Sequence, residues 1–267
     1  MKKTDYYEIC KQKLQYLNYS KNTLDIYLFY ISRFLNKTLG IYPTKLTSSD
    51  FQNYLDGYRF TSISQQNQII SAIKFLYKFG LNKKYDKVSF VRPRNEKKLP
   101  QVIETEYLKN RIEKIKNLKH KAIISLAYSV GLRVSEVINL KIKDIDSKRM
   151  LIYINNAKGK KDRIVPLSKN VLLLLREYFK GYKPEKFLFN GQSKIQYSST
   201  SCNAIVKKHL GGDFHFHTLR HSCFTTLLES GVDLRIIQKI AGHNNVKTTE
   251  IYTHVSNILL NKIQLPI

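Results

Sequence analysis

The chain has 267 residues, with 46 Lys and Arg against 20 Asp and Glu, a formal net charge of +26. A 42% hydrophobic content at this length fills one large core or two modest ones, which excludes an intrinsically disordered chain despite the charge. The excess is dispersed, with 14 basic and 6 acidic side chains in residues 1–91 and 32 and 14 in 92–267, so it repels itself unless a polyanion meets it; nucleic acid is the leading partner and an anionic membrane surface the runner-up.

Residues 1–91 read as a bundle of short amphipathic helices. Leu24, Tyr27/Leu28, Ile31 and Phe34/Leu35 recur at helical spacing ahead of Gly40. Thr47 and Asp50 form a capping box before Phe51, Tyr54 and Leu55, and Ser62 with Gln65 opens another helix carrying Ile69/Ile70, Ile73 and Leu76/Tyr77, closed by Gly80. The segment 92–101, Arg-Pro-Arg-Asn-Glu-Lys-Lys-Leu-Pro-Gln, joins two prolines to a run of basic residues and is the best linker in the chain. Beyond it, helices are predicted at about 104–117 and 119–130, the second stopped by Gly131, followed by a short one containing Ser135 to Leu140. The period then changes: Arg149–Asn155 and Arg163–Leu167 are strand-like, and the turn 157–161 between them puts Lys158 at a hairpin tip. Helices resume at about 169–180, 199–208, 217–229, 233–241 and 247–252, with a last one near 255–263. The expected fold is mainly α with a small antiparallel β-sheet, divided as a helical domain 1–91, a basic linker 92–101 and a second domain 102–267.

Apolar runs such as Val171–Leu175 are far short of the roughly 20 residues that span a bilayer, and the first residues lack the apolar region of a signal peptide. A cytoplasmic, nucleoid-associated protein without membrane residence is expected. Cys10, Cys202 and Cys223 form no CxxC pair and read as reduced thiols.

Phosphoryl transfer needs positive charge where negative charge develops, a nucleophile and a proton donor for the leaving oxygen. Arg133 follows a helix end in Gly-Leu-Arg-Val-Ser-Glu, Lys158 sits on the hairpin turn, and His217 and Arg220 lie one turn apart on a helical face. His243 and Tyr252 follow, nine residues apart. Taken singly, each has a plainer explanation: Arg133 paired with Glu136 at a helix end, Lys158 solvated beside Lys160 and Lys161, His217 and Arg220 packed or surface-paired, and Tyr252 one of 18 tyrosines. A zinc site from His215, His217, His221 and Cys223 is disfavoured, because His215 precedes or caps the helix and positions 221 and 223 point about 200° apart. No metal and no cofactor is expected.

The order of the motifs is more specific than any one of them. Gly-Leu-Arg-Val-Ser-Glu at 131–136, Ala-Lys-Gly-Lys-Lys-Asp-Arg-Ile-Val-Pro-Leu at 157–167, His-Thr-Leu-Arg-His-Ser at 217–222, Ala-Gly-His at 241–243 and Thr-Thr-Glu-Ile-Tyr-Thr-His at 248–254 together resemble the tyrosine recombinases, closest to the Xer-type and phage-integrase group. The match runs through essentially all of 100–256, and the first domain more loosely resembles the family's SAM-like core-binding domain. The resemblance implies a C-shaped clamp around DNA, with the second domain as an α+β catalytic domain.

By this resemblance Arg133 and Arg220 are the two arginines that hold the scissile phosphate, and Lys158 is the hairpin lysine that protonates the 5′-oxygen leaving group. His217 assists proton transfer or orients the phosphate, His243 donates a hydrogen bond to a phosphate oxygen, Tyr252 is the nucleophile, and Glu136 and His221 support them. The implied reaction runs through a 3′-phosphotyrosyl link and a Holliday junction on a tetramer, formed alone or with a related recombinase, without ATP or a divalent metal. The apolar stripe of the helix near 255–263, Ile258/Leu259 and Ile263, packs onto its own domain or, as the resemblance implies, docks into a neighbouring protomer. A type IB-like topoisomerase, a telomere-resolving enzyme and a non-catalytic DNA-binding protein of the same fold remain as alternatives. Chromosome-dimer resolution, mobile-element integration or excision, plasmid resolution and inversion share these residues and stay undivided.

Overall fold

The computed structural model describes residues 3–38, 40–83, 92–94, 99–155, 162–191, 196–243 and 245–253. Lys158 with its turn and the helix expected near 255–263 lie outside the described residues, as do positions 95–98 of the linker. The chain divides into two compact units, Met1–Lys97 and Lys98–Ile267.

In the first unit the stripes read from the sequence become α2 (Lys21–Lys37), α3 (Ser48–Asp56) and α4 (Ile63–Phe75), which runs into a π-helical turn, Leu76–Gly80. They are preceded by α1 (Lys3–Tyr16), whose buried Tyr6, Cys10 and Leu14 recur every four residues. The expected cap is present in full: Thr47 N donates to Asp50 Oδ2 at 2.7 Å and Asp50 N to Thr47 Oγ1 at 3.3 Å. Tyr77 donates its hydroxyl to the Thr47 carbonyl, which ties the end of the bundle to the start of α3. At the centre the buried Phe34 meets Phe51 and Tyr54 edge-on, with ring centroids 5.9 and 5.1 Å apart. Such pairs add about 1 kcal/mol each beyond the area they bury. Arg92, the first residue of the expected linker, is fastened to α4 by bonds to Asn67 Oδ1 (2.8 Å) and Ser71 Oγ (3.1 Å).

The second unit is built around α6 (Leu118–Val130), which buries Ala122, Ile123, Ile124, Leu126, Ala127 and Val130 and packs between α8 (Lys169–Tyr182) and α10 (Phe216–Glu229). A helix apolar on so many sides has to be interior. Before it stands α5 (Thr105–Glu113), and after it come α7 (Val134–Asn139) and a sheet of β1 (Ile145–Asp146), β2 (Leu151–Ile154) and β3 (Arg163–Pro166). The sheet is antiparallel in the order β1-β2-β3, with Ile152 opposite Ile145 on one side and Val165 on the other. The two-residue β1 is too short to show a period and has no counterpart in the sequence reading. The remaining helices are α9 (Ser199–Leu210), α11 (Leu234–Ala241) and α12 (Lys247–Glu250).

The helix expected over 247–252 thus ends at Glu250, and Tyr252 stands in the turn beyond it, its N–H on the Thr249 carbonyl at 3.1 Å. The three cysteines are unpaired and buried, and burial pushes each thiol up to about 12. Among the described residues no helix is long and apolar enough to cross a membrane. None of the described His, Cys, Asp and Glu residues form a group of three or more that could hold a metal ion.

Candidate active site

The site forms where the C-terminal ends of α6 and α11 converge on Arg220. The side chain of Arg220, on the second turn of α10, is 1% exposed. Its guanidinium donates to the carbonyls of Gly131 (2.6 Å) and Ala241 (2.7 Å) and to His243 Nε2 (2.9 Å), and it lies 4.7 Å from the Phe224 ring centroid. Both carbonyls belong to helix termini, where backbone acceptors lack intrahelical partners. Gly131 ends α6 in the left-handed conformation (φ +63°), and a Cβ there would come within 2.5 Å of the Phe224 ring. That one glycine therefore admits Phe224 and aims its carbonyl at Arg220. Burial, then the nearby Arg133, lower the Arg220 pKa to about 10, which leaves the group charged at neutral pH.

Glu136 is the only carboxylate among the described groups of this cluster, and it serves two cations. Arg133 caps the start of α7 and meets Glu136 Oε1 at 2.9 Å while its own N–H takes Oε2 at 2.8 Å. Arg163, on β3, forms a two-pronged pair with the same carboxylate, Nη1 to Oε1 and Nη2 to Oε2, both at 2.8 Å, and sends Nε to the Ile240 carbonyl at 2.7 Å. Burial alone raises the Glu136 pKa, but the bonds to Arg163 and Arg133 outweigh it and hold the group at about 2. Arg163 thereby joins the sheet to the starts and ends of two helices. Gly242, left-handed at φ +62°, lies against it, and a Cβ there would be 3.0 Å from Arg163 Cδ.

On the opposite side of Arg220, His243 Nδ1 pairs with Thr249 Oγ1 at 2.9 Å, and Gln238 Nε2 donates to the His243 carbonyl at 3.1 Å. Burial and the charges of Arg220, Arg133 and Arg163 bring the imidazole pKa down to about 3. Tyr252 is 1% exposed, its ring 5.4 Å from Phe224 and 5.7 Å from His221. Burial raises its phenol to about 12, while the charge of Arg220 and a hydrogen bond with it pull the other way. The His217 ring stands edge-on to His221 at 4.6 Å. His217 as a residue stays open to solvent, yet the packing around its ring and then Arg220 lower its pKa to about 4. His221 is also held at about 4, first by burial, and its Nδ1 is buried without a hydrogen-bond partner.

Seven of the eight residues singled out in the sequence, Arg133, Glu136, His217, Arg220, His221, His243 and Tyr252, fall in this one cluster; Lys158 lies outside the described residues. The sequence reading passed over Arg163 and Thr249. Arg163 opens a strand whose other exposed positions need no charge, and Thr249 is a buried polar residue on an otherwise exposed short helix, signals that appear only once burial is known. His215 caps α10 through Thr218 Oγ1 (2.8 Å to Nδ1). Three arginines around one carboxylate leave the cluster cationic, suited to a bound anion.

Residues 90–257 match the phage integrase family, and residues 6–87 match its N-terminal SAM-like domain. The chain belongs to the phage integrase family, the tyrosine recombinases, on its Xer-type side. The tyrosine recombinase XerA of Pyrococcus horikoshii is 37% identical over 247 residues, 89% of this chain and 84% of the relative. A crystal structure of XerA recombinase is 27% identical, with a TM-score of 0.56 over 98% of this chain and 97% of that one. The fold is also similar to XerH site-specific recombinase bound to palindromic difH substrate in a post-cleavage complex, with a TM-score of 0.73 at 21% identity over 98% of this chain and 83% of that one.

Proposed function

We propose that the protein is a site-specific DNA recombinase that cuts and rejoins strands through a 3′-phosphotyrosyl intermediate at Tyr252. The observation that carries this reading is the placement of a buried tyrosine beside a buried, charged arginine: Arg220 and Tyr252 are both 1% exposed and both pack on the Phe224 ring, inside a cluster whose arginines exceed its carboxylates. A phosphodiester bound there meets guanidinium donors as charge develops on its oxygens. Arg133 and Arg220 hold the phosphate, His217 and His243 contact it or move protons, and Glu136 and His221 support them. Lys158, between β2 and β3 in the sequence, protonates the departing 5′-oxygen. Attack by Tyr252 exchanges one phosphodiester for another and releases a 5′-hydroxyl; the 5′-hydroxyl of a partner strand reverses the step. Bond energy is kept in the protein–DNA link, so neither ATP nor a metal ion is required.

Residues 1–91 act as a core-binding DNA domain, 92–101 as the linker and 102–267 as the catalytic domain. Two rounds of strand exchange through a Holliday junction need a tetramer on two duplexes, formed by this chain alone or with a related recombinase, in the cytoplasm where DNA is available. Incubation with nicked duplexes from the gene's own genomic flanks, in EDTA, tests the reading: a DNA-shifted band on a denaturing gel, absent with Tyr252→Phe, is expected. Tight DNA binding without any covalent band from a broad duplex pool would overturn it in favour of a DNA-binding protein.

A further inference from the structure

Arginine only donates hydrogen bonds, so the contact between Arg220 Nη2 and His243 Nε2 at 2.9 Å makes Nε2 the acceptor. The imidazole proton then sits on Nδ1 and is donated to Thr249 Oγ1, 2.9 Å away. A phosphate oxygen needs the reverse arrangement: it accepts, so a His243 that contacts it must carry the proton on Nε2. Thr249 is fully buried, and its hydroxyl, in contact with Nδ1, is able both to accept and to donate.

We propose that Thr249 is a positioning residue that lets His243 exchange tautomers as the phosphate arrives. With the site empty, Nδ1–H donates to Thr249 and Nε2 accepts from Arg220. Once Arg220 turns that N–H to the phosphate, the Thr249 hydroxyl rotates to donate to Nδ1, and Nε2–H is presented to a phosphate oxygen. The proton lost from Nδ1 to water is matched by one gained from water at Nε2, so the imidazole is neutral before and after and no net proton is taken up. The groups around the ring favour this over an imidazolium: Arg220 and His217 on α10, Arg133 at the start of α7 and Arg163 on β3 all face it, and burial adds to their effect. Thr249 also accepts from the Tyr252 N–H at 3.1 Å and donates its own N–H to the Val246 carbonyl at 2.7 Å, so the backbone that fixes the hydroxyl also carries the tyrosine. The inference rests on the function proposed above, since it presumes a phosphate at Arg220.

Two readouts test it. Nitrogen-15 histidine spectra of the full chain near about pH 7 are expected to show His243 as the Nδ1–H tautomer alone and the Nε2–H tautomer when inorganic phosphate is raised until the Arg220 resonances stop moving. An imidazolium pattern in either sample, or an Arg220 that moves while His243 keeps its proton on Nδ1, overturns the inference. In the covalent capture assay, Thr249→Val keeps the shape and loses the hydroxyl, and is expected to slow adduct formation about 10- to 100-fold, with Thr249→Ser near wild type and both variants fully folded at the assay temperature by their melting curves. Equal rates for the valine and serine variants, fast or slow, overturn it as well. Wild-type protein that forms no adduct counts against the recombinase reading instead, and the spectra of the phosphate-free protein still decide the tautomer.

Discussion

At the residue scale, the described cluster carries more positive than negative charge, which suits it to an anion. Arg220 is held by neutral acceptors, and the one carboxylate is already shared between Arg133 and Arg163. Removing Arg163 strips Glu136 of its two-pronged partner, and breaking a buried pair of this kind costs on the order of 3 kcal/mol. Arg163→Ala is therefore expected to lower the urea midpoint of the second unit and to slow covalent capture together; unchanged stability would mean that Arg133 alone satisfies the carboxylate. The pH dependence follows from the same groups. Glu136 has a folded pKa of about 2 against 4.5, so its contribution is complete above 4.5 and is lost as pH falls toward 2. His221 and His243, at about 4 and about 3 against 6.5, likewise stabilise the fold above 6.5 and lose that contribution as pH falls through their folded values. Unfolding free energy is expected to decline from 6.5 downward in two stages, the first reduced by replacing both histidines with asparagine and shared with His217, which is also held at about 4. A flat profile between 6.5 and 4.5 would contradict the assigned burial of the histidines.

At the element scale, the site depends on how helices end. Gly131 and Gly242 close α6 and α11 in the left-handed conformation and turn carbonyls toward Arg220 or pack against Arg163. Gly131→Ala combines an unfavourable backbone conformation with a 2.5 Å clash on Phe224, and a loss of about 2–4 kcal/mol is expected in thermal or chemical unfolding. A loss below about 1 kcal/mol would show that Phe224 moves away freely. Most of these elements were legible in the sequence, because amphipathic stripes, the Thr47–Asp50 cap and the Gly131 stop are local signals. What was not legible is non-local. The two-residue β1 exists only by pairing with β2, and α12 stops at Glu250, with Tyr252 in the turn beyond it packed against His221 and Phe224. The bond from Arg163 to Glu136 spans 27 positions and could not be read from spacing.

At the scale of the whole molecule, a net charge of +26 makes DNA binding an electrostatic process. Each phosphate neutralised releases counterions, so for about 6–10 phosphate contacts the affinity is expected to fall about 10³- to 10⁵-fold between roughly 50 and 200 mM salt. Fluorescence anisotropy with a labelled duplex measures the slope; a shallow one would restrict the contact to a few phosphates around the arginine cluster. The family was legible as five motifs in order, and the matches over residues 6–87 and 90–257 agree with it. Target sequence was not, because phosphate contacts set register while base edges and DNA shape specify the site.

The central claim is that Tyr252 itself becomes linked to DNA. Trypsin digestion of the adduct formed in EDTA, followed by mass spectrometry, reads this directly, since cleavage after Lys247 and Lys262 yields a peptide whose only tyrosine is Tyr252. The nucleotide mass is expected on that peptide, joined through a 3′-phosphate. A nucleotide on any other peptide, or an adduct that forms only when a divalent metal is restored, would contradict it.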